Sequence, residues 1–385
     1  PPFFLMIRRP PRSTLFPYTT LFRSMRMKKA LVATLTAAMV FSLTACGSSG
    51  ESAGGSSSGS KDASSSSSKS DDLISIGFAQ VGHESDWRTA STESCRSTFS
   101  KENGYNLSFV DCDNKSADQL EAVRNFVEQE VDYIIIDPIV ETGWDTVLKE
   151  AKDAGIPVLV IDRNIKVDES LYTAWVGSDF TAEGESAGAW LKAYLEAKKK
   201  TDKVNIVTIA GTNGSSAQIG RTKGFNKYVK ANGWNLLDEQ DGDFTQDGGQ
   251  KIMESYLKSY KDIDVVVCQN DNEAFGAIDA LKAAGKTYGK DGDIIIISFD
   301  ATNAGLKNVK EGSINADFEC NPLAAPYLED IIKKIKDGGK PDNQKVYVDE
   351  ACFACDDTVS SFKTDEGKEI TMTVVDDKVL KERAY

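Results

Sequence analysis

The sequence predicts an α/β protein with two doubly wound parallel-sheet domains joined by a multi-strand hinge. Three observations predict it. Continuous Val/Ile-rich runs of strand length recur from Leu73 onward. Such runs mark parallel strands buried on both faces. Helical patterns lie between them, and the runs fall into two series of about five. A repeated β-α-β alternation builds a parallel sheet with helices on both faces. The chain's 385 residues, 40% hydrophobic, are enough for two such cores.

Three segments precede the folded body. Residues 1–24 match no targeting pattern and read as a translated cloning or adapter artefact. From Met25 the character changes. Arg26, Lys28 and Lys29 form a basic start, residues 30–43 an apolar run, and Leu43-Thr44-Ala45-Cys46-Gly47 a lipobox. Residues 25–46 therefore read as a lipoprotein export signal with Cys46 as the lipid acceptor. A membrane span needs ~20 apolar residues, more than this run supplies. Residues 47–72, mostly Ser, Gly and Ala, cannot bury enough surface to fold and read as a flexible tether.

In the body, the first series of strands is read at residues 73–79, 107–112, 133–137, 157–162 and 174–177. The second is read at 204–210, 264–269, 293–299 and 313–318. A helix is expected over 116–130, with Leu120, Val123 and Val127 on its apolar face. The first domain takes 73–176 and 321–345; the second takes 177–320 and 346–385. Hinge strands are expected near 175–178, 318–321 and 345–348.

Open parallel sheets bind ligands beyond the carboxyl ends of their strands. The residues there are Glu84-Ser85-Asp86-Trp87-Arg88 after the first strand, Asp137 after the third and Asp162-Arg163 after the fourth. In the second series they are Arg221, downstream of Gly211-Thr212-Asn213-Gly214, then Asn270-Asp271 and Asp300. An aromatic face, arginine forks and acidic acceptors suit a small polyhydroxylated ligand. The apolar side of a sugar ring packs on Trp, while its hydroxyls donate to carboxylates and accept from guanidinium groups. Duller readings stand beside these. Trp87 could be a core aromatic, Asp162-Arg163 a surface ion pair and Asn270 a helix cap. Trp144 and Trp190 sit in helical patterns and read as packing; His83 reads as a solvated loop residue. The 211–214 loop lacks both phosphate-loop spacings.

The text of the body resembles the pentose/hexose class of periplasmic binding proteins of the ribose/galactose type, the solute receptors of sugar ABC transporters, and most of all its galactofuranose-binding branch. The likeness rests on IGFAQVGHESDWR, AVRNFVEQEVDYIIIDP, ETGWDTVLKEAKDAGIPVLVIDR, RTKGFNKYVK, GDFTQDGGQKIMESYL and QNDNEAFGAIDALKAAGK, and spans residues 73–345. It implies a type I periplasmic-binding-protein fold that closes on a monosaccharide, galactofuranose or a related pentose or hexose. It implies sugar contacts from Glu84, Ser85, Asp86, Trp87, Arg88, Asp162 and Arg163 in the first domain. From the second it implies Arg221, Phe244, Asn270 and Asp300. The text departs from the ribose-type pattern at Glu319-Cys320-Asn321 and over 349–385. The implied partners are permease and ATPase subunits, with a receptor feeding a membrane sensor kinase as the alternative.

Composition narrows the remaining classes. Residues 1–46 carry seven Lys/Arg and no Asp/Glu, leaving 38 basic and 59 acidic residues after them. That balance argues against nucleic acid as a partner. The single histidine, His83, leaves no catalytic His array or multi-His metal site. No activated nucleophile, cofactor loop or metal cluster is visible, so no enzyme, cofactor or metal is expected. The body is expected to be a monomer, held outside the cytoplasm at the membrane by the Cys46 lipid. Cys95, Cys112, Cys268, Cys320, Cys352 and Cys355 could pair as disulfides or remain thiols.

Overall fold

The computed structural model describes residues 73–200 and 203–385, all within one compact unit. The expected artefact (1–24), export signal with Cys46 (25–46) and tether (47–72) lie outside the described residues. Among the described residues, no helix is long and apolar enough to cross a membrane.

The first sheet is assembled from β1 (Ile74–Gln80), β2 (Tyr105–Asp111), β3 (Tyr133–Ile136), β4 (Val158–Ile161) and β5 (Ala174–Gly177). Helices α1 (Asp86–Thr98), α2 (Ser116–Glu128) and α3 (Asp145–Asp153) connect the first four. The expected 116–130 helix thus ends two residues early, where Glu130 adopts φ 52°. From β5 the chain passes to the second lobe. It runs through α4 (Phe180–Ala197), β6 (Asn205–Ala210), α5 (Ser216–Asn232), β7 (Asn235–Asp241), α6 (Gln246–Ser259) and β8 (Val265–Cys268). Then come α7 (Asp271–Ala283), β9 (Ile295–Asp300), α8 (Asn303–Lys310) and β10 (Ala316–Glu319). α9 (Ala325–Lys336) and β11 (Lys345–Tyr347) return to the first lobe. β12 (Cys352–Ala354), β13 (Ser361–Lys363), β14 (Glu369–Val374) and α10 (Asp377–Glu382) complete the second.

The first sheet has the order β11-β5-β4-β3-β1-β2 and is parallel throughout. The second has the order β13-β14-β12-β10-β9-β8-β6-β7, parallel from β10 to β7 and mixed beyond. Both are doubly wound, and in each the first strand of the lobe lies inside the sheet. β7 escaped the sequence reading because its residues, NLLDEQD, are half-exposed at a sheet edge and show no continuous apolar run. The unassigned 349–385 region proves to be the second sheet's mixed extension.

Each sheet is packed on both faces. Around the first, Phe126, Val147 and Trp175 fill one side, and Phe99, Leu328 and Ile332 the other. Around the second, Trp190, Phe225, Tyr228 and Phe318 oppose Met253, Tyr256, Ile278 and Leu306. Trp144 and Trp190 are core residues, as the sequence reading has them. The α4 and α5 helices approach unusually closely. A Cβ on Gly184 would lie 2.3 Å from the Arg221 carbonyl oxygen, and one on Gly224 would lie 2.2 Å from that of Thr181. That contact places Arg221 beside Glu183 on the neighbouring helix.

The chain crosses between the lobes three times, after Gly177, after Glu319 and after Tyr347. All six described cysteines are free thiols, so the sequence's open question resolves away from disulfides.

Candidate functional site: a charged and aromatic cleft between the lobes

The carboxyl ends of both parallel sheets face a common cleft with about 20 Å³ of free volume. That is room for about one water molecule, so the lobes must part to admit a larger ligand. Ten of the eleven residues singled out in the sequence line it. Asp86 does not. It is the first residue of α1, with an exposed side chain, and its backbone N–H donates to Asn272 Oδ1 at 3.1 Å. Asp86 opens α1 on its solvent side, whereas the next two residues, Trp87 and Arg88, are buried.

The first lobe supplies a network of charges. Ser85 caps α1, its Oγ accepting the Arg88 N–H at 3.1 Å, which fixes the turn that aims Arg88. The Arg88 guanidinium donates to Glu84 Oε1 at 3.0 Å, to Asp162 Oδ2 at 3.0 Å and to Asp137 Oδ2. Asp137, at the end of β3, is fully buried. Burial pushes its carboxyl well above the usual range, against the pull of Arg88. Burial also opposes the charge on Glu84, but Arg88 and Arg163 hold it below its ordinary value. Glu84 Oε2 is buried with no hydrogen-bond partner, an acceptor suited to a ligand hydroxyl.

The second lobe answers with Arg221. Its Nε donates to Glu183 Oε2 at 2.7 Å, and its Nη2 lies 3.6 Å from Asp300 Oδ1. Burial disfavours the Arg221 charge, yet Glu183 raises its affinity for the proton above the ordinary arginine value. The same burial pushes the Glu183 carboxyl up to about 7. It also lifts Asp300 well above the usual range, with Arg221 opposing. Asp162, just past β4, and Asp300, the last residue of β9, occupy similar places with φ 59° and 99°. Few non-glycine residues adopt such angles, and surrounding structure must impose them. The Trp175 indole N–H donates to the Asp162 carbonyl at 3.0 Å. The Ala301 N–H donates to Asp317 Oδ1 at 3.1 Å.

Aromatic faces close the cleft. Trp87, Phe180, Ala217, Phe244 and Cys320 form one apolar cluster drawn from both lobes and a crossing segment. The Trp87 indole N–H donates to the Cys320 carbonyl at 2.6 Å. Phe244 (φ 59°) is held by its N–H to Glu273 Oε1 at 3.0 Å and by Asn270 Nδ2 to its carbonyl at 3.0 Å. Asn270 also caps α7, its Oδ1 accepting the Glu273 N–H at 2.8 Å. Asn270 thus both lines the cleft and caps the helix. Across the cleft, the Arg163 guanidinium stacks on Phe244 at 4.9 Å. The Asn164 N–H donates to Ser216 Oγ at 2.7 Å, and the Glu141 N–H to the Gly214 carbonyl at 2.9 Å. These contacts define a closed arrangement of the lobes.

Phe180, Ala217 and Cys320 were missed as lining residues. Phe180 and Ala217 sit in the first turns of α4 and α5. A search for helix starts beyond strand ends would have found them. Cys320 stands in the segment where the sequence departs from the ribose-type pattern. His83, by contrast, is an exposed loop residue paired with Asp111.

The chemistry available is hydrogen bonding and stacking. Glu183, Cys320 and Glu350 bring one donor atom each within 4.8 Å. However, Arg221 already occupies Glu183, and burial pushes the Cys320 thiol well up, so the thiolate a metal needs is disfavoured.

Two α/β lobes with parallel sheets meeting at a polar and aromatic cleft define a ligand-capturing binding protein. The chain belongs to the periplasmic binding protein domain family, whose model matches residues 76–339. It is 42% identical over 275 residues to the galactofuranose-binding protein YtfQ of Escherichia coli, covering 70% of this chain and 84% of that one. A Mycobacterium smegmatis crystal structure in complex with β-D-fucofuranose is 42% identical, with TM-score 0.70 over 74% of this chain and 93% of the other. The binding protein of the arabinose ABC transporter from Shewanella sp. ANA-3, bound to α- and β-L-arabinofuranose, is 38% identical. Its TM-score is 0.69 over 74% of this chain and 93% of the other. The names of these relatives describe sugar binding, and this protein stands with them among binding proteins rather than enzymes.

Proposed function

We propose that the protein captures a single monosaccharide in its furanose form, galactofuranose or a close relative, and presents it to an ABC importer. The observation that carries this reading is the composition of the cleft. Two arginines and two carboxylates face it from the first lobe, one of each from the second, and the Trp87 and Phe244 rings line its walls. The furanose-binding relatives support the sugar's ring form. The cleft residues act together. Glu84, Asp162 and Asp300 accept ring hydroxyls, Arg88, Arg163 and Arg221 donate to ring oxygens, and Trp87 covers the apolar face. Ser85 and Asn270 complete the polar lining. A ligand touching both lobes stabilises only their closed arrangement.

Calorimetry with galactofuranose, fucofuranose, arabinofuranose and their pyranose counterparts tests this directly. Tighter binding of at least one furanose, with the sugar recovered unchanged and the protein more compact by small-angle scattering, is the expected result. Binding of none, or conversion of the sugar, refutes it.

The lipobox supports anchoring through a lipid on Cys46. Mass spectrometry of the membrane-extracted protein should find a diacylglyceryl group there, and its absence removes the anchor. Copurification with permease and ATPase subunits separates import from the alternative of a receptor feeding a sensor kinase.

A further inference from the structure

Beyond the end of α10, the chain turns back onto the crossing segments. Arg383 Nη1 donates to Glu319 Oε1 at 2.7 Å. The Tyr385 hydroxyl accepts from Arg383 Nη2 at 2.6 Å and donates to the same Glu319 oxygen at 2.6 Å. The other Glu319 oxygen accepts the Ala351 N–H at 2.6 Å, which ties the second crossing to the third. Arg383 is clasped between the rings of Phe353 (5.4 Å) and Tyr385 (4.0 Å). The arrangement is nearly dry: the Arg383 and Glu319 side chains are 10% and 8% exposed.

This cluster stands directly behind two walls of the cleft. Glu319 precedes Cys320, whose carbonyl receives the Trp87 indole N–H. Arg383 Nη2 also reaches the carbonyl of Asp300 at 3.5 Å, and the Asn303 N–H donates to the Tyr385 backbone oxygen at 2.6 Å. Asp300 and Ala301 both sit at positive φ, 99° and 52°. Such backbone persists only where its surroundings over-determine it. The 383–385 segment is part of that determination, although neither Arg383 nor Tyr385 lines the cleft.

We infer that Arg383 and Tyr385 are positioning residues for the binding cleft. They act through Glu319 on the Trp87–Cys320 contact and through the Asp300 backbone on its carboxyl. The inference deepens the proposed sugar-binding function and rests on it. Arg383 does more than fill space, because it supplies the positive charge that neutralises Glu319 at the crossing. Without it, Glu319 is a buried carboxylate with no cation beside it, an arrangement proteins avoid by moving the group toward water. Such a movement drags Cys320 and loosens Trp87.

The test compares wild type with Arg383→Ala, Tyr385→Phe and the double variant Arg383→Ala/Glu319→Gln. Arg383→Ala should weaken binding of the preferred furanose at least tenfold, chiefly through faster release. The double variant should recover most of that loss, because it removes the uncompensated charge; a merely structural role for Arg383 predicts no recovery. Tyr385→Phe, which keeps the ring and the arginine, should lose a few-fold and serves if Arg383→Ala fails to fold. Affinity within twofold of wild type in both single variants, or no recovery in the double variant, overturns the inference. If wild type binds no furanose, the sugar reading falls by itself, and the clamp is read in the sugar-free protein. There, amide exchange at Ala301, Asn303 and Ala351 should quicken at least tenfold in Arg383→Ala, while that of β6 and β8 stays unchanged. Unchanged exchange at those three amides overturns the clamp independently of any ligand.

Discussion

Replacing Trp87 separates a ligand-stacking ring from a purely structural one. The ring is 5% exposed, with the Arg88 guanidinium 4.7 Å from its centre and its N–H bonded to the Cys320 carbonyl. A buried indole covers about 200 Å² in all. If about a third of that meets the sugar, ~25 cal/mol per Å² gives ~1.5 kcal/mol of binding free energy. The lost hydrogen bond to Cys320 adds ~1 kcal/mol in either variant. Trp87→Phe keeps an aromatic face and should cost only that second amount. Trp87→Ala forfeits both, ~2.5 kcal/mol. Titration calorimetry should therefore find Trp87→Ala about tenfold weaker than Trp87→Phe, each variant first shown to be folded by circular dichroism. Equal affinities would mean that the ring supports Cys320 and never meets the sugar.

Arg163→Ala removes both the charge facing Glu84 and the stack on Phe244, and should weaken sugar binding by at least ~2 kcal/mol in the same titration. Gly211→Ala probes the opposite wall. A Cβ there would lie 1.9 Å from the Phe244 ring, so the ring must move from its place in the cleft lining, and affinity should fall in the same titration. The Glu183 carboxyl, raised by burial to about 7 from 4.5, gives a signed pH effect. Between those values the folded state holds a proton that the unfolded state has released. Stability from this group is therefore present below about 4.5 and lost as pH rises toward 7, at no more than ~1.4 kcal/mol per pH unit. Glu183→Gln should flatten that decline in urea melts at pH 5 and 7.5; an unchanged slope would mean that Glu183 is ionised throughout.

Most central strands of both lobes were legible because they are continuous apolar runs, and burial on both faces demands that pattern wherever the run lies. The cleft was legible for the same reason. Once the strands are placed, the residues beyond their carboxyl ends are fixed, and ten of the eleven chosen there line one space. Asp86 lies outside that lining because adjacency in sequence does not set which way a residue turns at a helix start. β7 and the β12–β14 extension carried no such run, since edge and short strands are only half buried. Sequence thus determined the alternation, the two series and the chemistry offered at each strand end, all of which follow from local patterning. The closing of one lobe on the other was a tertiary decision. It joined Trp87 to Cys320 across 233 residues and laid Arg163 on Phe244, while packing within the second lobe brought Arg383 to Glu319. Those contacts depend on how two sheets pack about three crossings, and no periodicity along a single segment encodes that geometry.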